Sequence, residues 1–270
     1  EGGLAAAELL VGDGNPSGKT VDTFAKSLDD YPSTYNFHES RNYVDYTDDI
    51  YVGYRYFETI PGAAEKVVYP FGYGLSYTTF DVETVSAGVV NSKCTSEANM
   101  LYAKVRVTNT GKFSGKEVVQ VYIAKPQGKL GKPAKELAAF EKTRELQPGE
   151  SQLMILTWEI NDMASYDDLG KVKKSAYVLE AGSYDIYVGT SVRDVTKADY
   201  SYILNHDVIT EQLSAKLVPT SLPKRMLADG SYEALHQSEP VDTDYSAIGN
   251  IDPSLTEAVA PCQRAIPYFR

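Results

Sequence analysis

The stretch LYAKVRV, residues 101–107, alternates apolar with polar or amphipathic side chains and decides the fold class of this chain. Its apolar side chains stand at the odd positions Leu101, Ala103, Val105 and Val107. Successive side chains of an extended strand point to opposite faces, so this period of two predicts a strand with one face buried.

Segments of the same kind follow along the chain, separated by turn signals such as NTG at residues 109–111 and QPG at 147–149. The predicted strands cover residues 117–123, 137–146, 152–160, 175–180, 183–188 and 200–204. About seven short strands in about 120 residues are typical of an immunoglobulin-like or fibronectin type III-like β-sandwich. The inward side chains expected besides those of the first stretch are Val119, Val121, Ile123, Ile186 and Val188.

The flanking regions have other patterns. EGGLAAAELL, residues 1–10, predicts a helix, and IYVGYRYF, residues 50–57, predicts a strand. YPFGYGLSYTTF, residues 69–80, is rich in aromatic residues and is expected to pack on the sandwich as a fixed connector, with Gly72 and Gly74 allowing tight turns or close backbone approach. We call this segment the connector. Residues 208–217 predict a short helix, after which the proline-rich remainder indicates a linker, a wrapping tail or the start of another domain.

The composition of the chain argues against two classes of binding partner. The 270 residues are 43% hydrophobic and carry a net charge of −11, which argues against nucleic acid or an anionic membrane as partner. No apolar run approaches a membrane span. The chain starts at Glu1 with no visible signal peptide, which suggests a fragment or processed piece and leaves a cytoplasmic or a secreted location open.

The cysteines and histidines predict no metal site and no cofactor. Cys94 and Cys262 allow either one long-range disulfide or two free thiols. The histidines, His38, His206 and His236, are scattered along the chain.

GDGNPSGKT, residues 12–20, ends like a phosphate-binding loop; we call it the glycine-rich loop. A P-loop needs glycine five residues before Gly18, where this chain has Asp13, and Pro16 removes one backbone N–H from the cradle. The loop also follows a predicted helix instead of a strand. It is therefore interpreted as a helix stop and a tight turn.

Other chemical signals are weak. The adjacent acids Asp29-Asp30, Asp48-Asp49 and Asp167-Asp168 are interpreted as solvated loop or cap residues, and no nucleophile motif is present. The 21 tyrosines favour a β-rich protein, with sugar stacking as the functional alternative. The residues alone predict a binding or structural β-domain with a helical preface.

The chain resembles the C-terminal part of family 3 glycoside hydrolases, the β-glucosidase-like enzymes. The stretches that carry the resemblance are GDGNPSGKTVDTF at 12–24, IYVGYRYFET at 50–59, YPFGYGLSYTTF at 69–80, VTNTGKFSGKEVVQVYI at 107–123, KELAAFEK at 135–142 and LQPGES at 146–151. LPKRMLADGSYEAL at 222–235 is similar to connectors in members whose barrel domain follows instead of preceding.

The resemblance implies a mainly β chain with three parts. Residues 1–80 would be the end of an α/β sandwich domain and the connector, 81–205 a fibronectin type III-like sandwich, and 206–270 a tail or linker towards another domain. The family's nucleophile is an Asp in a (β/α)₈ barrel and its acid/base is a Glu upstream of the NPSGK loop. No catalytic residue of this chain matches either.

The implied function is that of a brace in a retaining enzyme that hydrolyses β-glucosides. The whole enzyme would bind β-linked glucosides or oligosaccharides, and the partners of this part would be the barrel and the rest of the α/β sandwich. Tyr73 and Tyr77 are the candidates for contact with the sugar. The alternative is a non-catalytic carbohydrate-binding or adhesion module. Exposed aromatics in one line on a sheet would favour the module, whereas apolar docking patches would favour the brace.

Overall fold

The computed structural model describes residues 1–37, 40, 43–90, 99–214 and 222–235. Cys94, Cys262, His38 and His236 lie outside these residues. The first part of the chain has little regular structure. Its elements are helix α1 at Gly2–Val11, strand β1 at Phe24–Ala25, helix α2 at Tyr54–Phe57, strand β2 at Val67–Tyr69, and 3₁₀ turns at Leu28–Asp30, Pro32–Tyr35 and Ala63–Lys66. Strands β1 and β2 pair antiparallel.

Two antiparallel sheets form the sandwich. Their strands are β3 Phe80–Val89, β4 Met100–Asn109, β5 Val118–Ala124, β6 Glu136–Lys142, β7 Ser151–Glu159, β10 Gly182–Gly189 and β11 Val195–Leu204. The three-stranded sheet has the order β3-β4-β7, and the four-stranded sheet has the order β11-β10-β5-β6. In the register of the first sheet, Val105 lies between Thr84 of β3 and Met154 of β7.

The inner faces of the two sheets enclose one apolar core. All nine side chains predicted to point inward belong to it, each at most 3% exposed: Leu101, Ala103, Val105, Val107, Val119, Val121, Ile123, Ile186 and Val188. Burying a side chain of this size stabilises the fold by roughly 1.5–3 kcal/mol. The predicted mainly β fold class with a fibronectin-like sandwich is therefore confirmed.

Smaller antiparallel sheets add to the two sheets of the sandwich. Strands β12 Val208–Gln212, β9 Ala176–Leu179 and β8 Ser165–Asp167 form one sheet in that order, and β13 Lys224–Met226 pairs with β14 Tyr232–Ala234 in a hairpin. A 3₁₀ turn at Asn161–Met163 precedes β8. The division of the chain at residues 80 and 205 stays a prediction.

The strand predicted for residues 50–57 is wrong. Gly53 has a φ of 56°, which turns the chain into the single helical turn of α2. That turn carries Tyr54 to the ring of Phe71 and Phe57 to the ring of Tyr31, at centroid distances of 4.7 and 5.4 Å. Burial of these aromatic rings outweighs their local preference for strands.

The short helix predicted for residues 208–217 is also wrong over its described part. Val208–Gln212 is strand β12, which pairs with the edge of β9. The β-branched residues Val208 and Ile209 suit a strand, and a neighbouring edge supplies the backbone partners that a helix would find within itself. Residues 215–217 lie outside the described part of the chain.

Candidate functional site

The glycine-rich loop and the connector lie against each other, and Asn15 joins both to the sandwich. Its side-chain Nδ2 donates to the carbonyl of Ser114, 2.8 Å away, in the turn before β5. Its Oδ1 accepts from the hydroxyl of Ser76 at 3.0 Å and from the backbone N–H of Tyr77 at 2.9 Å. One amide thus satisfies three groups on two segments that are distant in sequence.

Close backbone approach confirms the role expected for the connector glycines. A Cβ on Gly74 would lie 2.5 Å from the carbonyl oxygen of Gly18, and one on Gly72 would lie 2.5 Å from Oε1 of Gln120. Gly72 also has a φ of 79°, a conformation that side chains rarely adopt. Lys19 of the loop pairs with Glu117 at 2.8 Å, so its ammonium is held by the sandwich.

A surface cavity of about 660 Å³ lies between α1, the glycine-rich loop and the connector. Its walls include Glu8, Leu9, Lys19, Tyr73 and Leu75. The lining is mostly apolar, which suits an apolar or ring-shaped group with a few polar atoms.

The two candidate sugar contacts occupy different positions. Tyr73 lines the cavity and is half-buried, with its ring 5.0 Å from that of Tyr69. Tyr77 is 50% exposed, and its hydroxyl donates to the carbonyl of Leu9 at 2.8 Å. The Tyr77 hydroxyl therefore fixes the end of α1, while Tyr73 is the one beside the cavity. A substrate-binding role for either stays a prediction.

Residues 1–79, which precede β3, are called the first region below, and helix α2 joins this region to the outer face of the four-stranded sheet. The ring of Tyr54 lies edge-on to Tyr122 of β5 at 6.2 Å, and its hydroxyl accepts from the N–H of Leu137 in β6 at 3.0 Å. Arg193, after β10, reaches back to Glu58 at 2.8 Å and to the carbonyl of Ala64 at 3.0 Å.

The adjacent acids differ in their surroundings. Asp29 and Asp30 lie in the 3₁₀ turn Leu28–Asp30, in which Asp30 accepts from the backbone N–H of Ser27, as the cap interpretation expected. Asp48, 9% exposed, is not solvated, and burial raises its pKa to about 6. One of its carboxylate oxygens has no hydrogen-bond partner among the described residues.

The pKa of Asp49 is raised in the same way. Burial raises its pKa to about 6, and nearby Asp168 and Glu233 add to the rise while Arg225 opposes it. Its φ of 53° is in the left-handed region, which Asp tolerates better than most residues.

Asp167 and Asp168 are also buried, so the interpretation of solvated side chains is wrong for both. Asp167 accepts four backbone N–H groups at 2.6–3.0 Å, from Gly170, Lys171, Val172 and Lys173. Burial alone would raise its pKa, but these donors hold it below the ordinary value. Asp168 pairs with Arg225 at 3.0 Å. The sequence held no signal for this pairing, since its partners are 57 positions apart.

The carboxylates of Asp167 and Asp168 thus hold separate segments of the structure together. A glycosidase needs an acid and a second carboxylate on either side of the scissile bond, about 5 Å apart in retaining enzymes. Among the described residues, no three His, Cys, Asp or Glu side chains are grouped so that they could hold a metal ion. Within the same residues, the helices are too short or too polar to cross a membrane.

Comparison with known families matches two parts of the chain. The glycosyl hydrolase family 3 C-terminal domain matches residues 1–77, and the fibronectin type III-like domain matches residues 117–192. The first match ends inside the connector, and the second covers β5 to β10 of the sandwich.

Relatives cover most of the chain. Beta-glucosidase A of Butyrivibrio fibrisolvens is 62% identical over 251 residues, which are 90% of this chain and 30% of that protein. A beta-glucosidase of Ruminococcus albus is 43% identical over 236 residues, 86% of this chain and 24% of that protein. The chain thus spans less than a third of the length of these relatives.

Among solved structures, a beta-glucosidase from Paenibacillus barengoltzii has a TM-score of 0.76 and 45% identity, covering 95% of this chain and 27% of its own. Beta-glucosidase 3B of Thermotoga neapolitana, solved with alpha-D-glucose, has a TM-score of 0.66 and 38% identity. It covers 76% of this chain and 27% of its own.

Proposed function

This chain belongs to family 3 of the glycosyl hydrolases as a piece of their C-terminal part with its fibronectin type III-like domain, and we propose that it is the structural brace of a β-glucosidase. The reaction proposed for the whole protein is hydrolysis of the O-glycosyl bond of β-glucosides by the retaining, two-carboxylate mechanism. The relatives named beta-glucosidase support this proposal.

The observation that carries the brace is the continuous contact between the first region and the sandwich. Asn15, Lys19, Tyr54, Glu58 and Gly72 each meet a partner in or beside the four-stranded sheet. Contacts spread over this length resist relative rotation of the two parts, so the sandwich can hold the first region in one orientation.

Helix α1 supports docking onto another part of the whole protein. None of its residues is buried, and Leu4, Leu10 and Val11 are 67%, 85% and 71% exposed. An isolated helix of about ten residues is marginal in water, because its stability comes mainly from packing an apolar face. The exposed apolar side chains favour the brace over a free-standing carbohydrate-binding module.

Contact with the sugar is the finer part of the proposal. Tyr73 beside the cavity is the candidate of this chain for stacking on a glucoside ring, and its ring is itself packed against that of Tyr69. Tyr77 is the weaker candidate, since its hydroxyl already donates to Leu9.

The test compares the 270-residue chain with the whole protein on a nitrophenyl β-glucoside. The whole protein should turn over the substrate, whereas the chain alone should not exceed background, because the retaining mechanism needs two carboxyl groups and no residue of this chain matches the family's nucleophile or acid/base. Turnover by the chain that is lost in Asp49→Asn or Asp168→Asn would overturn the brace. An inactive whole protein would instead contradict the proposed reaction.

A further inference from the structure

The hairpin of β13 and β14, residues 224–234, lies outside both family matches. We call it the strap. It packs at the junction between the first region and the sandwich. The N–H of Met226 donates to the carbonyl of Thr47 at 2.8 Å. The side chains of Met226 and of Leu222, just before the strap, are 4% and 8% exposed, so the strap is anchored by apolar burial as well as by its backbone.

Arg225 of the strap contacts three carboxylates from three separate parts of the chain. Its guanidinium lies 3.8 Å from Oδ2 of Asp49 in the first region and 3.0 Å from Oδ1 of Asp168 in the loop after β8. Its Nε donates to Oε2 of Glu233 within the strap at 3.2 Å. A planar guanidinium with five N–H donors can serve several carboxylates at once, which a lysine ammonium does less well.

The loop after β8, which belongs to this cluster, is held in place by contacts of its own. Asp167 organises the loop after β8 through its four backbone acceptor contacts, which fixes the position of the adjoining Asp168. Lys171 of the same loop pairs with Glu233 of the strap at 3.0 Å. The strap therefore contacts two parts of the chain. One is Asp168, whose position the loop after β8 fixes, and the other is the segment of residues 45–49.

We propose that the strap clamps the segment of residues 45–49 onto the sandwich, with the guanidinium of Arg225 as the latch. Exposed ion pairs contribute little to stability, but the side chain of Arg225 is only 10% exposed. Its removal leaves the largely buried carboxylates of Asp168 and Asp49 without the cation that both contact, which is strongly unfavourable. The clamp acts independently of the proposed glycosidase reaction.

The test is amide hydrogen exchange on the 270-residue chain with Arg225→Met, which keeps an unbranched side chain in place of the aliphatic part of arginine and removes the guanidinium with its charge. Peptides covering residues 45–52 should exchange about tenfold faster or more, because local opening no longer has to break the latch. Peptides from β5 should keep their wild-type rate. Arg225→Lys should fall between the wild type and Arg225→Met.

The matched control is Arg144→Met, which removes an arginine from an exposed pair with Glu150 on the sandwich. It should leave residues 45–52 unchanged. Glu233→Gln, at a side chain 31% exposed, serves as a milder second variant and settles the question should Arg225→Met fail to fold. Equal acceleration in β5 and in residues 45–52, or no acceleration beyond the control in either strap variant, would overturn the proposal.

Discussion

At the scale of single residues, Asn15 and Glu180 show how one side chain fixes a loop. Glu180, 3% exposed, accepts from the backbone N–H groups of Lys129 and Leu130 and from the ammonium of Lys132. Burial lowers the pKa of Lys132, and the contact with Glu180 opposes that shift. Asn15 plays the corresponding part for the connector, with neutral hydrogen bonds instead of an ion pair.

Replacing Asn15 by Ala should lower the free energy of unfolding by about 2 kcal/mol, because a carbonyl, a hydroxyl and an N–H lose their shared partner. Urea denaturation followed by circular dichroism measures the change. Asn161→Ala is the control, since Asn161 is exposed, and it should stay within about 0.5 kcal/mol of the wild type. Equal effects of the two substitutions would contradict the role given to Asn15.

At the scale of elements, the connector packs on the sandwich as predicted, but its aromatic rings are unequally covered. Phe71 and Tyr73 are half-buried, whereas Tyr69 and Tyr77 are 45% and 50% exposed. The carbonyl of Phe71 accepts from the N–H of Val192 at 3.1 Å, which adds a backbone tie to the ring contacts. The connector is thus fixed by hydrogen bonds and two glycine contacts as much as by aromatic burial.

Replacing Phe71 by Ala should cost about 2 kcal/mol of stability, less than the roughly 3–5 kcal/mol of a fully buried phenylalanine, because its ring packs on Tyr54 but stays partly in contact with water. Thermal or urea unfolding of the variant measures this loss. Phe140→Ala, at a ring 69% exposed on β6, should cost less than about 0.5 kcal/mol. A loss at Phe71 no larger than that at Phe140 would refute the fixed connector.

At the scale of the whole molecule, buried acids make stability depend on pH in two opposite ways. Burial raises the pKa of Asp48 and of Asp49 to about 6, above the value of about 3.9 in an unfolded chain. The folded state therefore binds these protons more tightly, and their ionisation destabilises the fold as the pH rises through 6. Asp167 and Glu136 have lowered pKa values, so their contribution is lost only at lower pH.

Asp48→Asn should therefore stabilise the chain at pH 7.5 relative to the wild type, and its advantage should shrink by about 1 kcal/mol when the pH is lowered to about 5. Urea denaturation at the two pH values measures the difference. Asp13→Asn, at an exposed carboxyl in the glycine-rich loop, is the control for the loss of one negative charge. A pH-independent effect of Asp48→Asn would show that its carboxylate titrates as an ordinary exposed acid.

The sequence by itself determined the sandwich, because a strand with one buried face has an apolar side chain at every second position. Val105 and Val121 are inward by local alternation alone, and the structure buries both completely. The sequence of the connector likewise indicated the family. Its two glycines predicted close backbone approach, and the structure shows this approach at Gly18 and Gln120.

Only the tertiary structure decided the rest, because the deciding partners lie far away along the chain. The local sequence of residues 50–57 predicts a strand, but ring contacts with Phe71 and Tyr31 favour a helical turn. The local sequence of residues 208–212 predicts a helix, but the edge of β9 supplies backbone partners for a strand. The cluster around Arg225 has no signature in the local sequence, because charged residues are by default interpreted as solvent-exposed. Burial and charge pairing depend on the assembled chain, so neither the burial of Asp168 nor its contact with the strap could be predicted from neighbouring residues.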